Sequence, residues 1–441
     1  MNRKKDFAYS LGSFASSVLG QTVTAFAFFY YVDVLKVPAQ RISSIMVMYG
    51  VWNAINDPLF GQISDRTRTR WGRRIPYILF LTLPLCIAFA LLWMPPFAAG
   101  QTEALSVYYL IVIFLFDGLF TMVVLNWTAL FPEMYPSLED RARVSALRQV
   151  LGILGLIVGV ALPPFLHPLI GWKAMGLAFA ALSLVTMYAC LYGAKEKPEF
   201  STGSGLGLLA ALKATYINKS FMTFVVPAML VQYTFVALQA AIPFYAKYVL
   251  GIQGLSESLL LGTLFVMAIP FALVWVKIIA KVGPKKAMTR SIALFGVFLL
   301  GFLFARNFAQ AVATCFALSF GLAGVLVLLD ILIADVTDED EVKTGARREG
   351  MYFGINGFMI RLGISINAAI MGPVMLRTGY DANLVVQPAS ALTGFRLLMS
   401  LIPMVAIAAS LLIFRHYPLD GRPLEDMKSK VAAMHEEKAR H

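Results

Sequence analysis

Asn53 and Asp57 stand four residues apart, with Asn56 between them and Pro58 next. On a helix that spacing puts an amide and a carboxylate on one face. Oxygens grouped in this way suit a hard cation or a proton. Asp117 and Thr121 repeat the spacing, and Thr128 continues their stripe. Ser10, Ser13, Ser17, Gln21 and Thr24 also recur at helical intervals. Such a stripe either joins two helices or lines a polar cavity. Asn126-Trp127-Thr128 offers a stacking ring between hydrogen-bonding groups, unless Trp127 is an ordinary packing aromatic. Asp330 and Arg361 sit alone in apolar runs, where an acid either serves a function or pairs with an arginine to tie two helices.

Enzymatic chemistry has no such support. Cys86, Cys190 and Cys315 lie singly in apolar stretches without metal-ligand spacing. His167, His416, His435 and His441 fall in predicted loops or the tail. No catalytic residue, resident metal or cofactor is expected.

The elements that hold these residues follow from composition. Of 441 residues, 59% are hydrophobic and 14% charged, and mean hydropathy is +0.73. A soluble domain is nearer a quarter charged, so a water-soluble globule is excluded. Twelve runs reach the ~20 apolar residues a spanning helix needs: 8–36, 41–63, 76–97, 105–131, 148–171, 174–194, 220–248, 255–281, 287–306, 308–334, 353–378 and 390–415. The first is too long for a cleaved signal peptide. With both termini on one side, 28 of the 37 lysines and arginines collect there, 6 fall opposite, and Lys277, Arg361 and Arg396 lie within spans. That bias predicts cytoplasmic termini. It also accounts for the net charge of +12 without a nucleic-acid partner. Asp33 reads as interfacial, and Arg396 as snorkelling to the boundary.

A linker at 196–219, with Ser201-Thr202-Gly203-Ser204-Gly205, divides a six-helix bundle (1–195) from a second one (220–415), before a tail at 416–441. The halves echo one another. Gly72-Arg73-Arg74 follows span two, and Gly283-Pro284-Lys285-Lys286 follows span eight. Two six-helix pseudo-repeats in an all-α membrane protein predict the major-facilitator fold.

Four segments carry a family resemblance. Asn53-Ala54-Ile55-Asn56-Asp57-Pro58, with Gly61 and Ser64-Asp65-Arg66-Thr67-Arg68-Thr69-Arg70-Trp71-Gly72-Arg73-Arg74, resembles the glycoside-pentoside-hexuronide:cation symporters. Trp127-Thr128-Ala129-Leu130-Phe131-Pro132-Glu133, with Asp140-Arg141-Ala142-Arg143 and Arg148, is similar to that family's segment joining helices four and five. Asp335-Val336-Thr337-Asp338 and Thr344-Gly345-Ala346-Arg347-Arg348-Glu349-Gly350 are similar to its loop between helices ten and eleven. Tyr9, Gly12 and Tyr30-Tyr31-Val32-Asp33-Val34 match its first helix. The resemblance implies cation-coupled uptake by alternating access.

Departures from the family pattern matter for mechanism. Sodium-using members carry two acids at the helix-two motif; here the first position is Asn53. The family's galactoside-binding acids fall on Ser17 and near Val124, and its helix-eleven lysine falls on Arg361. The neutral-galactoside clamp is thus not carried over. Asp117, one turn before Thr121, is expected to replace the carboxylate missing at Asn53. Asp57 and Asp117 against Arg361 leave one negative charge for a proton or a sodium ion, with the proton favoured.

The resulting expectations are specific. Asn53, Asn56, Asp57, Asp117, Thr121 and Arg361 couple the cation. Ser17, Gln21, Asn126, Trp127, Thr128, Arg148 and Arg361 bind substrate. Asp65, Arg66, Arg73, Arg74, Arg141, Asp335, Asp338 and Arg347 gate the cytoplasmic mouth, or else act as positive-inside anchors. The solute is a glycoside, uronide or related polar molecule, and the chain is a monomer in the cell membrane. A lysolipid symporter on the same fold and a non-transporting membrane sensor are the alternatives.

Overall fold

The computed structural model describes residues 3–135, 138–196, 215–345 and 348–440. Side chains at 54, 55, 57, 58, 62, 65, 132, 138, 139, 142, 349, 350 and 435–440 lie outside that description. The carboxylates of Asp57 and Asp65, all of Arg347 and most of the predicted linker therefore lie outside the described residues.

Every described element is a helix: α1 (Arg3–Phe29), α2 (Ala39–Arg66), α3 (Ile75–Leu92), α4 (Thr102–Met134), α5 (Leu138–Ala161), α6 (Pro163–Gly193), α7 (Lys219–Phe244), α8 (Leu255–Val282), α9 (Pro284–Phe304), α10 (Phe308–Thr344), α11 (Glu349–Arg377), α12 (Ala389–Phe414) and α13 (Arg422–Arg440). Among the described residues, eleven of these are long and apolar enough to cross a membrane. The other long one, α2, has 28 residues but carries Asn53, Asn56 and Asp57 at its centre.

Local chemistry sets the breaks. Proline opens α3, α6 and α9, where its missing N–H is not needed. Asn307 caps α10 by accepting from the Gln310 amide at 3.0 Å. Gly171, at φ +79°, interrupts α6 just before Trp172. Pro270 follows the break at Met267 in α8, and Pro403 the break at Ser400 in α12. The two pseudo-repeats share one irregularity: α1 runs into a π-turn at Tyr30–Val34, and α7 into another at Tyr245–Leu250.

The chain forms two compact units. The first comprises Met1–Ser204, Gln239–Gly262 and Ala368–Gly394; the second comprises Gly205–Leu238, Thr263–Asn367 and Phe395–His441. In the first, α1 is gripped by glycines of α5 and α6. A Cβ on Gly155 would meet the Phe14 carbonyl oxygen at 2.5 Å, and one on Gly193 would collide with the Lys5 carbonyl oxygen. Small residues let the backbones approach this closely where lipid supplies no hydrophobic drive. In the second unit, a Cβ on Gly321 of α10 would meet the Phe295 nitrogen of α9 at 2.6 Å. The Ser291 hydroxyl donates to the Gly321 carbonyl at 2.7 Å in the same crossing.

Two placements differ from the sequence expectation. The run expected to end at 334 continues as a helix to Thr344. Asp330 stands about 33 Å along α10 from Phe308. It is exposed, beside α13. Arg396 does not snorkel. Its guanidinium donates to the Leu303 and Ala305 carbonyls at 2.8 and 2.9 Å, closing the last turn of α9.

Candidate cation and substrate site

In the first unit, α2 and α4 bring four polar side chains to one point. Tyr49, Asn53 and Asn56 lie on one face of α2 at four- and three-residue spacing. Asp117 on α4 is 3% exposed and faces them. Its Oδ1 accepts from the Tyr49 hydroxyl at 2.9 Å and from Asn53 Nδ2 at 2.7 Å. Asn56 Nδ2 donates to Oδ2. Asn53 Nδ2 also donates to the Tyr49 hydroxyl at 3.2 Å. Each amide gives its N–H to the carboxylate and keeps its oxygen. Asn53 Oδ1 and Asn56 Oδ1 are buried without a hydrogen-bond partner among the described residues. Thr121, one turn on, is 3% exposed. Sequence reasoning named the two asparagines, Asp117 and Thr121, but missed Tyr49, whose signal was its place one turn before Asn53. Arg361 lies on α11 in the second unit.

The substrate candidates divide. The Arg148 guanidinium on α5 lies 4.4 Å from the Trp127 ring centroid and 4.5 Å from that of Phe131. Its Nε is buried with no hydrogen-bond partner, and it makes no ion pair among the described residues. Trp127 is not an open stacking ring. It is 2% exposed, its Nε1 donates to the Tyr9 carbonyl at 3.1 Å, and its indole presses on Gly12. It thus fixes α1 against α4 and offers one face to Arg148. Asn126 is buried; its Nδ2 donates to the Met122 carbonyl at 2.7 Å, and its Oδ1 has no partner. Thr128 is exposed. Ser13 and Ser17 pack against Gly152, and Thr22 donates to the Gly159 carbonyl at 3.0 Å. This stripe serves the α1–α5 contact. Gln21 accepts from Gln239 Nε2 at 3.1 Å.

The predicted gate residues have partners that the sequence did not reveal. Arg73 and Arg74 both reach Glu133 Oε1, at 2.7 and 3.0 Å. Their backbone amides donate to the Glu196 carboxylate at 2.9 and 3.0 Å. Arg141 Nε donates to the Tyr135 carbonyl at 2.7 Å. Arg66 is exposed. In the second unit Asp335 pairs with Lys428 of α13 at 3.2 Å, and Asp338 lines the same recess. Arg348 clasps both Asp340 oxygens through its Nε and Nη2, which raises its pKa. Asp6, not singled out from sequence, is buried; it accepts from Arg143 at 2.6 Å and from the Tyr135 hydroxyl at 3.1 Å. Burial, and then the Asp6 charge, push the Tyr135 phenol up, so it stays a donor.

Asp33 was expected at an interface. It is 2% exposed, at the π-turn ending α1, and accepts from Lys247, Tyr248 and Tyr380. All four belong to the first unit. Burial and then the Asp33 charge raise the Tyr380 phenol far above its ordinary range.

No group of three histidine, cysteine or carboxylate side chains able to hold a metal occurs among the described residues. The chain is matched over residues 8–421 by the family model described as MFS/sugar transport protein, and it belongs to that family. It is 24% identical to an isoprimeverose transporter of Lactiplantibacillus pentosus, over 97% of this chain and 91% of that one. It is also 24% identical to the putative glycoside/cation symporter YagG of Escherichia coli, over 98% and 95%. A mutant of the nucleoside transporter NupG superposes with a TM-score of 0.70 at 14% identity, over 93% of this chain and all of that one. The fold is that of the major facilitators. The chain is a multi-pass membrane transporter, not an enzyme.

Proposed function

We propose, from membership of this family, that the protein is a cation-coupled symporter of an anionic glycoside such as a uronide, working by alternating access with both termini cytoplasmic. The observation that carries the coupling is Asp117, buried and held by Tyr49, Asn53 and Asn56. All three of these donors are neutral. A carboxylate at this depth is costly unless a positive charge accompanies it. Asp57, which follows Asn56 in the sequence, is the second acid proposed for coupling, with a proton as the favoured ion. Sodium is the competing ion, with the Asn53 and Asn56 amide oxygens as further ligands.

Arg148 supports the anionic substrate. It is a guanidinium stacked between two rings, and it lacks the acids that fill the family's clamp at Ser17 and Val124. A planar fork of donors suits a carboxylate. Asn126 adds a hydrogen-bonding amide for a sugar hydroxyl. The Asp65 to Asp338 gate residues keep their proposed role in closing the cytoplasmic mouth.

The test is uptake into proteoliposomes of labelled glucuronides, neutral glycosides and a lysolipid, under imposed proton or sodium gradients, with Arg148→Gln alongside wild type. Glucuronide accumulation lost in the variant supports the reading. Equal uptake of neutral glycosides, or competition by the lysolipid alone, refutes the substrate class.

A further inference from the structure

The loop joining α2 to α3 builds a second recess in the first unit, remote in sequence from Asp117. Its turn is closed by Thr69, whose hydroxyl donates to the Gly72 carbonyl at 2.6 Å and accepts from the Trp71 amide at 3.2 Å. Gly72 completes the turn at φ +101°. The turn borders a cavity of about 450 Å³ together with the end of α6. Arg68, Arg70, Trp71, Ile75, Lys195 and Glu196 line it.

Its charge is one-sided. Glu196 is the one acid of the lining, and its oxygens are taken up by the Arg73 and Arg74 amides and the Arg73 guanidinium. Arg70 and Lys195 make no ion pair among the described residues. The Arg70 guanidinium instead stacks 4.1 Å from the Trp71 ring centroid.

Its rim is apolar and turned toward the bilayer. Phe80, Leu83, Ile87 and Leu91 are exposed along one stripe of α3, the face a spanning helix presents to acyl chains. Trp71, 42% exposed, packs edge-on against Phe80 at 5.5 Å and so continues that stripe past the helix start. A tryptophan four residues outside a spanning helix sits at headgroup depth.

Cations inside and aromatic rings at the lipid boundary match one ligand. We propose that this recess binds the phosphate of an anionic phospholipid from the leaflet on the N-terminal side. Arg70 and Lys195 hold the phosphate, and Trp71 with Phe80 carries the glycerol and upper acyl chains. Occupancy would brace the α2–α3 turn against α6, where Arg73 and Arg74 are anchored. Neither Arg70 nor Lys195 belongs to the proposed coupling or substrate residues.

The experiment is native mass spectrometry of the purified full chain with equimolar phosphatidylglycerol and phosphatidylcholine. Wild type should retain the anionic lipid with a roughly thirtyfold preference, from the attraction of two basic side chains. Arg70→Gln with Lys195→Gln should bring that ratio near one. Lys285→Gln with Lys286→Gln, which neutralises the matching loop of the other repeat, should leave it unchanged. An unchanged melting temperature in lipid-free detergent would show that the Arg70/Lys195 variant is folded. No preference in wild type, or equal loss in both variants, would overturn the proposal. Displacement of the lipid by millimolar inorganic phosphate would assign the recess to a soluble phosphate instead.

Discussion

Two buried carboxylates in the first unit have opposite company. Asp33 accepts from a lysine and two tyrosines, and the Lys247 charge neutralises it permanently. Asp117 accepts from one tyrosine and two amides, all neutral, and two amide oxygens beside it are left without hydrogen-bond partners among the described residues. Both acids are no more than 3% exposed, so depth does not separate them. The type of partner does. A carboxylate with its own lysine is a fastening, here joining the π-turns that end α1 and α7 to the segment after α11. We read Asp117, whose described hydrogen bonds include those from Tyr49, Asn53 and Asn56, as the carboxylate that meets an exchangeable cation.

The largest expected effect comes from exchanging the partner types. Tyr49→Lys would give Asp117 a permanent cation. Gradient-driven uptake should fall about 100-fold, the upper end of a site-to-site coupling free energy of ~3 kcal/mol. Retention of coupled uptake would break the comparison. The converse change, Lys247→Met, strips Asp33 of its counter-charge. Removing one member of a buried pair costs ~3–5 kcal/mol. The Lys247 side chain is 28% exposed, so about 2 kcal/mol is expected here. It would be read as a lower melting temperature in detergent, with Asp33→Asn added to Lys247→Met restoring part of the loss.

Smaller changes sharpen the same contrast. Deleting one hydroxyl removes a hydrogen bond to a charged group, worth ~1.5 kcal/mol. Tyr49→Phe should weaken cation activation of uptake about tenfold and leave the melting temperature nearly unmoved. Tyr380→Phe should do the reverse, lowering the melting temperature with little change in cation activation. Both variants behaving alike would remove the distinction.

The sequence made one of these regions legible and hid the other. Asn53, Asn56 and Asp117 stood out because polar residues at helical spacing in apolar runs are rare and expensive. Their meeting rests on long, regular helices whose faces a period of 3.6 predicts. The burial of Asp33 was hidden because its partners lie more than 200 residues away, in the π-turn after α7 and after α11. No local pattern encodes such a pairing. Glu133 and Glu196 were hidden for the same reason, although they fix Arg73 and Arg74. The serine stripe of α1 was legible as a stripe only; its use in packing depended on Gly152, Gly155 and Gly159 facing it. Helix limits misled where polar residues extend a helix past its apolar run, as in α10, which continues to Thr344 rather than ending at 334.

The most direct measurement compares two modes of transport in Asp117→Asn proteoliposomes. One is solute accumulation under a proton or sodium gradient; the other is solute exchange at equal concentrations without a gradient. Accumulation should be lost while exchange persists, and Asp33→Asn should retain whatever accumulation its folded fraction allows. Gradient-driven accumulation by Asp117→Asn at the wild-type level would contradict it.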